Sequence, residues 1–141
     1  MADSNQPRRP LRSAAAFFAG VLTIVVLSTL TDLVMHECRV FPPEGQPMAT
    51  GLWVLASAYR ALFAIAGGWA TARLAPSRPV AHAVALGCLG VVLSVLGVIA
   101  TWDKGPGFGP KWYPISIVLT ALPCTWAGAR MVRPAATRAS A

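Results

Sequence analysis

Val80–Trp102 reads VAHAVALGCLGVVLSVLGVIATW, 23 residues without a charged side chain and with one histidine, His82. A helix of about 20 apolar residues crosses the hydrocarbon core of a bilayer, and a run this long exceeds what a strand requires. The signature recurs on both sides. Ser13–Thr31 (19 residues), Ala61–Ala72 (12) and Trp112–Ala129 (18) contain no Asp, Glu, Lys or Arg. Accepting Arg60 extends the second run to Gly51–Ala75. Across its 141 residues the chain is 55% hydrophobic and 12% charged, whereas a soluble domain is about a quarter charged. These features exclude an ordinary soluble globule and a disordered chain. They predict an all-α integral membrane bundle of four transmembrane helices in up-down antiparallel order, at about 11–36, 51–74, 80–101 and 112–131.

The net charge of +7 lies on one side of that layout. Arg8, Arg9 and Arg12 stand against Asp3 before the first span. Arg73 and Arg78 join the second and third, and Arg130, Arg133 and Arg138 follow the fourth. On the other side Arg39, Lys104 and Lys111 balance Glu37, Glu44 and Asp103. Lys/Arg excess in short loops marks the cytoplasmic face, so both termini are expected inside. Trp53, Trp102, Trp112 and Tyr113 fall at outer span ends, and Trp69 and Trp126 near inner ones, as interfacial aromatic belts require. The arginines are scattered and have no interleaved aromatics, which argues against nucleic acid as a partner. The lipid bilayer is the expected partner, with a homo-oligomer or another membrane protein beside it. Residues 1–12 are expected to be a disordered cytoplasmic basic tail, 13–131 the transmembrane domain and 132–141 a flexible cytoplasmic tail. A cleaved signal peptide is the rival reading of the first span. The apolar run is too long for a signal core, and no small-x-small site follows it.

Helices in lipid associate by close backbone approach, so small residues mark the seams. Ala83, Gly87, Gly90, Ser94 and Gly97 form one stripe of the third span. Ser57, Ala61, Ala64 and Gly68, with Gly67, do the same in the second span, and Ala16 and Gly20 in the first. The short connection 75–79 should make spans two and three neighbours. At an offset of 60, Ala61-Leu62, Gly68 and Arg73 match Ala121-Leu122, Gly128 and Arg133, the pattern of a parallel duplication of a helix pair. Pro123 should kink the fourth span or free a carbonyl. The turn-rich segment 105–110 should not be helical.

Charge inside a bilayer is costly and needs an explanation. Arg60 and Asp32 lie at matching depths in the second and first spans, about 22 and 25 Å from their inner ends at 1.5 Å per residue. Asp32 shares a helix face with Ser28, Thr29 and His36, and Arg60 shares one with small residues. The expected arrangement is an Asp32–Arg60 ion pair in the outer half of the membrane. Ser28, Thr29, His36 and Tyr59 would complete its hydrogen bonds. A structural clamp between the first two spans is one role for this cluster. A binding or proton-handling site is the other, because a carboxylate one turn from an imidazole can hold a proton.

No metal site is expected. His36 and His82 fall on opposite sides of the bilayer, and His36-Glu37-Cys38 fits no tetrahedral ligand pattern. Cys38, Cys88 and Cys124 are dispersed and imply no disulfide framework. No Walker loop, G-x-S-x-G elbow or dinucleotide fingerprint is present, so no enzyme and no cofactor are expected.

Several short stretches carry a resemblance. They are Thr31-Asp32 with His36, Phe41-Pro42-Pro43, Ala58-Tyr59-Arg60, Gly67-Gly68, Thr71-Ala72-Arg73-Leu74-Ala75-Pro76, His82-Ala83, Ala100-Thr101-Trp102-Asp103-Lys104-Gly105 and Trp112-Tyr113-Pro114. Together they resemble a family of small bacterial four-helix integral membrane proteins with no established activity. The resemblance spans about 13–131 and implies a bacterial inner membrane. Small multidrug-resistance transporters are similar in architecture only. Their essential acid is a glutamate deep in the first helix, whereas here an aspartate nearer the outer end has an arginine placed to neutralise it. The expected function is that of a non-enzymatic accessory or structural membrane component. The alternative is a small-solute or proton-linked transporter using Asp32, His36 and Arg60.

Overall fold

The computed structural model describes residues 10–43 and 45–132. Four α-helices account for most of them: α1 (Pro10–Glu37), α2 (Thr50–Leu74), α3 (Pro79–Thr101) and α4 (Trp112–Arg130). There is no strand among the described residues. α1, α2 and α3 are long and apolar enough to cross a membrane. α4, with 19 residues, is not among them. Its hydroxyls (Ser116, Thr120, Thr125), two prolines and two tryptophans dilute its apolar content.

Two boundaries correct the sequence reading. Residues 10–12, expected in the basic tail, are the first turn of α1. Pro10 suits the start of a helix, where its missing N–H needs no partner. The rest of that tail, and 133–141 of the other, lie outside the described residues. The segment 105–110, expected to be free of helix, contains one 3₁₀ turn at Pro106–Phe108. It is bracketed by Gly105 at φ +89° and Gly109 at φ +92°, so a single tight turn fits where a longer helix cannot. α4 runs on through Pro123 as one helix.

α4 lies between α2 and α3 and packs extensively on both, while α1 lies along α2 and touches α3 only slightly. The short 75–79 connection does make α2 and α3 neighbours, but each packs more closely on α4 than on the other. The tightest packing is at the end that carries Arg12, Arg73, Arg78 and Arg130, termed the basic end. There Ala16 and Gly20 of α1, Gly67, Gly68, Thr71 and Ala72 of α2, Ala83, Leu86 and Gly87 of α3, and Thr125, Gly128 and Ala129 of α4 supply the buried residues. A Cβ on Gly68 would collide with the backbone of Thr125, and one on Gly128 with the backbone of Ile65. The two contacts are reciprocal. Each glycine meets the residue three before its counterpart, at the offset of 60 seen in the sequence. α2 and α4 approach backbone to backbone here, which a side chain at either glycine would prevent, and they run parallel, since Trp53 meets Tyr113 near their starts and Gly68 meets Thr125 near their ends. The matching Arg133 lies outside the described residues.

The third-span seam divides in two. Ala83 and Gly87 are buried, and a Cβ on Gly87 would strike Leu122 and Thr125. The sequence stripe puts Ser94 and Gly97 in the same seam, but a Cβ on Gly97 would meet nothing within 4 Å. Gly90 sits between these regimes, with Ala121 Cβ 3.4 Å from where its own would be. The helices seal at the basic end and part toward the other.

Candidate functional site

The parting encloses a cavity of about 540 Å³ at the end opposite the basic one. All four helices line it. α1 gives Asp32 and His36; α2 gives Trp53, Ala56, Tyr59 and Arg60. Ser94, Gly97 and Thr101 come from α3, and Tyr113, Pro114 and Ile117 from α4.

The connections that follow α1 and α3 complete it. α1 ends in a left-handed turn at Arg39 (φ +57°). The N–H groups of Val40 and Phe41 then return to the Met35 carbonyl at 2.9 and 3.0 Å. This closes the helix as a left-handed C-terminal cap does. It also folds Phe41 back, 5% exposed, onto Ala56 and Tyr59. Across the cavity mouth the two connections meet. A Cβ on Gly107 would collide with the Gly45 carbonyl. Trp53 packs against Gly109 and lies 4.6 Å, centroid to centroid, from the Tyr113 ring. The absence of a side chain at Gly107 and Gly109 lets the segment lie flat over the bundle.

The polar centre is a three-residue network. Arg60 Nη2 donates to Asp32 Oδ2 at 2.5 Å, and the Tyr59 hydroxyl donates to Asp32 Oδ1. Adjacent residues of α2 thus hold both carboxylate oxygens of α1. The Asp32 and Arg60 side chains are each 31% exposed, so the pair forms cavity wall rather than being sealed between helices. The Tyr113 side chain of α4 stands beside the guanidinium. Arg60 Nε is buried without a partner among the described residues. The guanidinium has five N–H donors, so most of its capacity is unspent.

His36 differs from the expectation. Its Nδ1 lies 2.8 Å from the backbone carbonyl of Asp32, not from the carboxylate. A carbonyl only accepts, so Nδ1 carries the proton, and the imidazole ring packs edge-on against Phe41 at 5.5 Å. Direct proton exchange between His36 and the Asp32 carboxylate has no geometry here. Thr29 is exposed and away from the cluster, and Ser28 is buried one turn below Asp32, off the cavity wall. Ser28 and Thr29, four and three residues before Asp32, flank its face on opposite sides, and the packing buries only the Ser28 side. Ser57 and Ser116 approach to 3.2 Å between α2 and α4.

The sequence reading does not foresee Trp53, Tyr113 and Phe41 in this wall. It assigns the first two to an interfacial belt, a role their position in sequence suits equally well. Cys38 and Cys88 are exposed and Cys124 is half-buried, all as free thiols. No family model, curated protein or solved structure matches the chain.

Proposed function

We propose that the chain is a small, non-enzymatic, multi-pass membrane protein whose outer half binds a small molecule. The observation that carries this is the cavity of about 540 Å³ with the Asp32–Arg60–Tyr59 network in its wall. Small-ligand sites typically enclose about 300–1,000 Å³, with mostly apolar walls and a few placed polar groups. A pure clamp would bury its ion pair between packed helices. This pair lines a space large enough for a ligand, and each side chain is only partly buried.

In this reading all four helices cross the bilayer. α4 has 19 residues, about 28 Å at 1.5 Å per residue, which matches a hydrocarbon core of about 30 Å. Its close packing on α2 and α3 argues for the same depth. The arginines gathered at one end put both termini in the cytoplasm and the cavity on the outer side. The resemblance to small bacterial four-helix proteins makes the bacterial inner membrane the expected location. A homo-oligomer or an accessory role beside another membrane protein fits the exposed apolar faces. Transport is the second reading: a site at the outer end, sealed beyond by small residues, is what one side of an alternating-access cycle requires.

The test is occupancy. Protein extracted in mild detergent is analysed by native mass spectrometry, beside Gly97→Leu, whose new side chain would enter the cavity from open space. The expected result is a bound species on the parent that falls about tenfold or more on the variant. A bare parent, or equal occupancy on both, refutes the ligand site.

A further inference from the structure

The chemistry of the cavity wall specifies the class of ligand, if the cavity is read as a binding site. Its formal charge is already balanced, because Asp32 and Arg60 cancel and Tyr59 is bound to the carboxylate. A second anion would meet the Asp32 carboxylate beside the arginine it needs, and a second cation would meet Arg60. The unspent polar groups around Arg60 are donors, while His36, Gln46 and Ser94, elsewhere in the lining, can accept. Arg60 spends one of its five N–H groups on Asp32. The Tyr113 hydroxyl stands beside Arg60 in the same wall. Even when it accepts from the guanidinium, it keeps its own proton to donate. The remainder of the lining is largely apolar or aromatic, with Phe41, Met48, Trp53, Phe108 and Ile117 the main contributors.

The surroundings point the same way. Toward the loop side, the two connections meet at Gly45 and Gly107 and partly roof the cavity. Toward the bilayer, α1 and α3 barely touch. They come close at Gly20 and Leu86 near the basic end, while at cavity level Gly97 leaves open space. A neutral molecule that partitions into lipid reaches such a gap at high local concentration.

We infer that the cavity takes a neutral, mostly apolar molecule dissolved in the membrane and bearing a carbonyl oxygen, which accepts hydrogen bonds from Arg60 and Tyr113. The apolar body would fill the space between Trp53, Phe108 and Ile117. The carbonyl would take the unspent donors without displacing Asp32.

The experiment uses the full chain in lipid nanodiscs and follows thermal unfolding against increasing 2-undecanone, undecanoic acid at pH 8 and undecane. A ligand that binds only the folded state raises the midpoint with dose. The ketone is expected to raise it, the alkane to bind about tenfold more weakly or worse, and the acid also more weakly. Arg60→Lys keeps the charge facing Asp32 but loses the planar donor set. It should weaken ketone binding about tenfold, the worth of one charge-assisted hydrogen bond. Tyr113→Phe should weaken it less, and Gly97→Leu should abolish it. Equal binding of ketone and alkane overturns the inference, as does tighter binding of the acid. If no probe binds while native mass spectrometry still finds an occupied cavity, this ligand class fails and the site stands. If the cavity is also empty there, both readings fail.

Discussion

Replacing Asp32 by Asn and Arg60 by Gln, singly and together, tests whether the pair also holds α1 to α2. Each single change leaves one charge in the bundle without its partner. Breaking a fully buried pair costs about 3–5 kcal/mol, and a lone charge at the bilayer centre costs about 2.5–3.5 kcal/mol on the insertion scale. Here each side chain keeps 31% of its surface open, which provides partial hydration, so about 1–3 kcal/mol per single variant is expected. In Asp32→Asn the amide oxygen would still accept from Tyr59. In Arg60→Gln the Asp32 carboxylate would keep its charge and only the Tyr59 bond to support it. The second change should therefore be the more damaging. The double variant has no charge to strand. Its loss should fall short of the sum of the singles by about 1 kcal/mol or more, inside the range for contacting residues. Unfolding by denaturing detergent in mixed micelles, followed by circular dichroism, gives the four free energies of the cycle. Strict additivity would mean that the charges do not interact and would remove the network from this account. Four equal stabilities would leave the charges with no structural role.

Three further outcomes are expected. Gly68→Ala should destabilise by about 1–3 kcal/mol, the range for overpacking, because Thr125 Cα would lie 2.6 Å from the new methyl; Gly97→Ala should cost nothing in the same unfolding assay. Thr71→Val should match the parent or gain about 1 kcal/mol, since the Thr71 hydroxyl is buried without a partner among the described residues and its removal relieves an unmet desolvation cost; a loss of more than about 1 kcal/mol in thermal unfolding would reveal a hidden partner. In intact cells Cys38, exposed just past α1, should react completely with a membrane-impermeant maleimide added outside, and Cys88 and Cys124, within the spans, should not; a Cys38 that reacts only after the membrane is permeabilised would invert the topology.

The helices were legible because long uncharged runs have few other physical solutions. The depth match of Asp32 and Arg60 was legible too, since helical rise converts residue counts directly into height. Azimuth was less so. One period places Ser28, Thr29 and His36 on nearly the same face as Asp32, and only the packing decides that Thr29 looks outward. The cavity half of the α3 stripe misleads for a related reason. Ser94 and Gly97 have the spacing of a packing seam, yet small residues permit close approach without compelling it. The inward return of Phe41 is hidden because it depends on a non-glycine residue, Arg39, adopting a left-handed conformation. That conformation is uncommon enough that sequence gives it little weight. The sequence reading of a fourth span rests on the absence of charge, and the hydroxyls and prolines of α4 temper its hydropathy, so length and composition single out only α1, α2 and α3.

In the proposed topology, the placement of both membrane-embedded charges within α1 and α2 has a consequence for biosynthesis. Asp32 and Arg60 are both made before residue 79, and Tyr59 with them. The first hairpin therefore leaves the ribosome with its own counter-ion and hydrogen-bond donor already attached. It can enter lipid as a near-neutral unit, without waiting for later helices to shield it. The second hairpin carries no charge that must be matched in the bilayer, and needs only to slide its glycines against those of the first. A nascent chain arrested after α2 should thus insert as a stable two-helix intermediate, and the order of synthesis becomes the order of assembly.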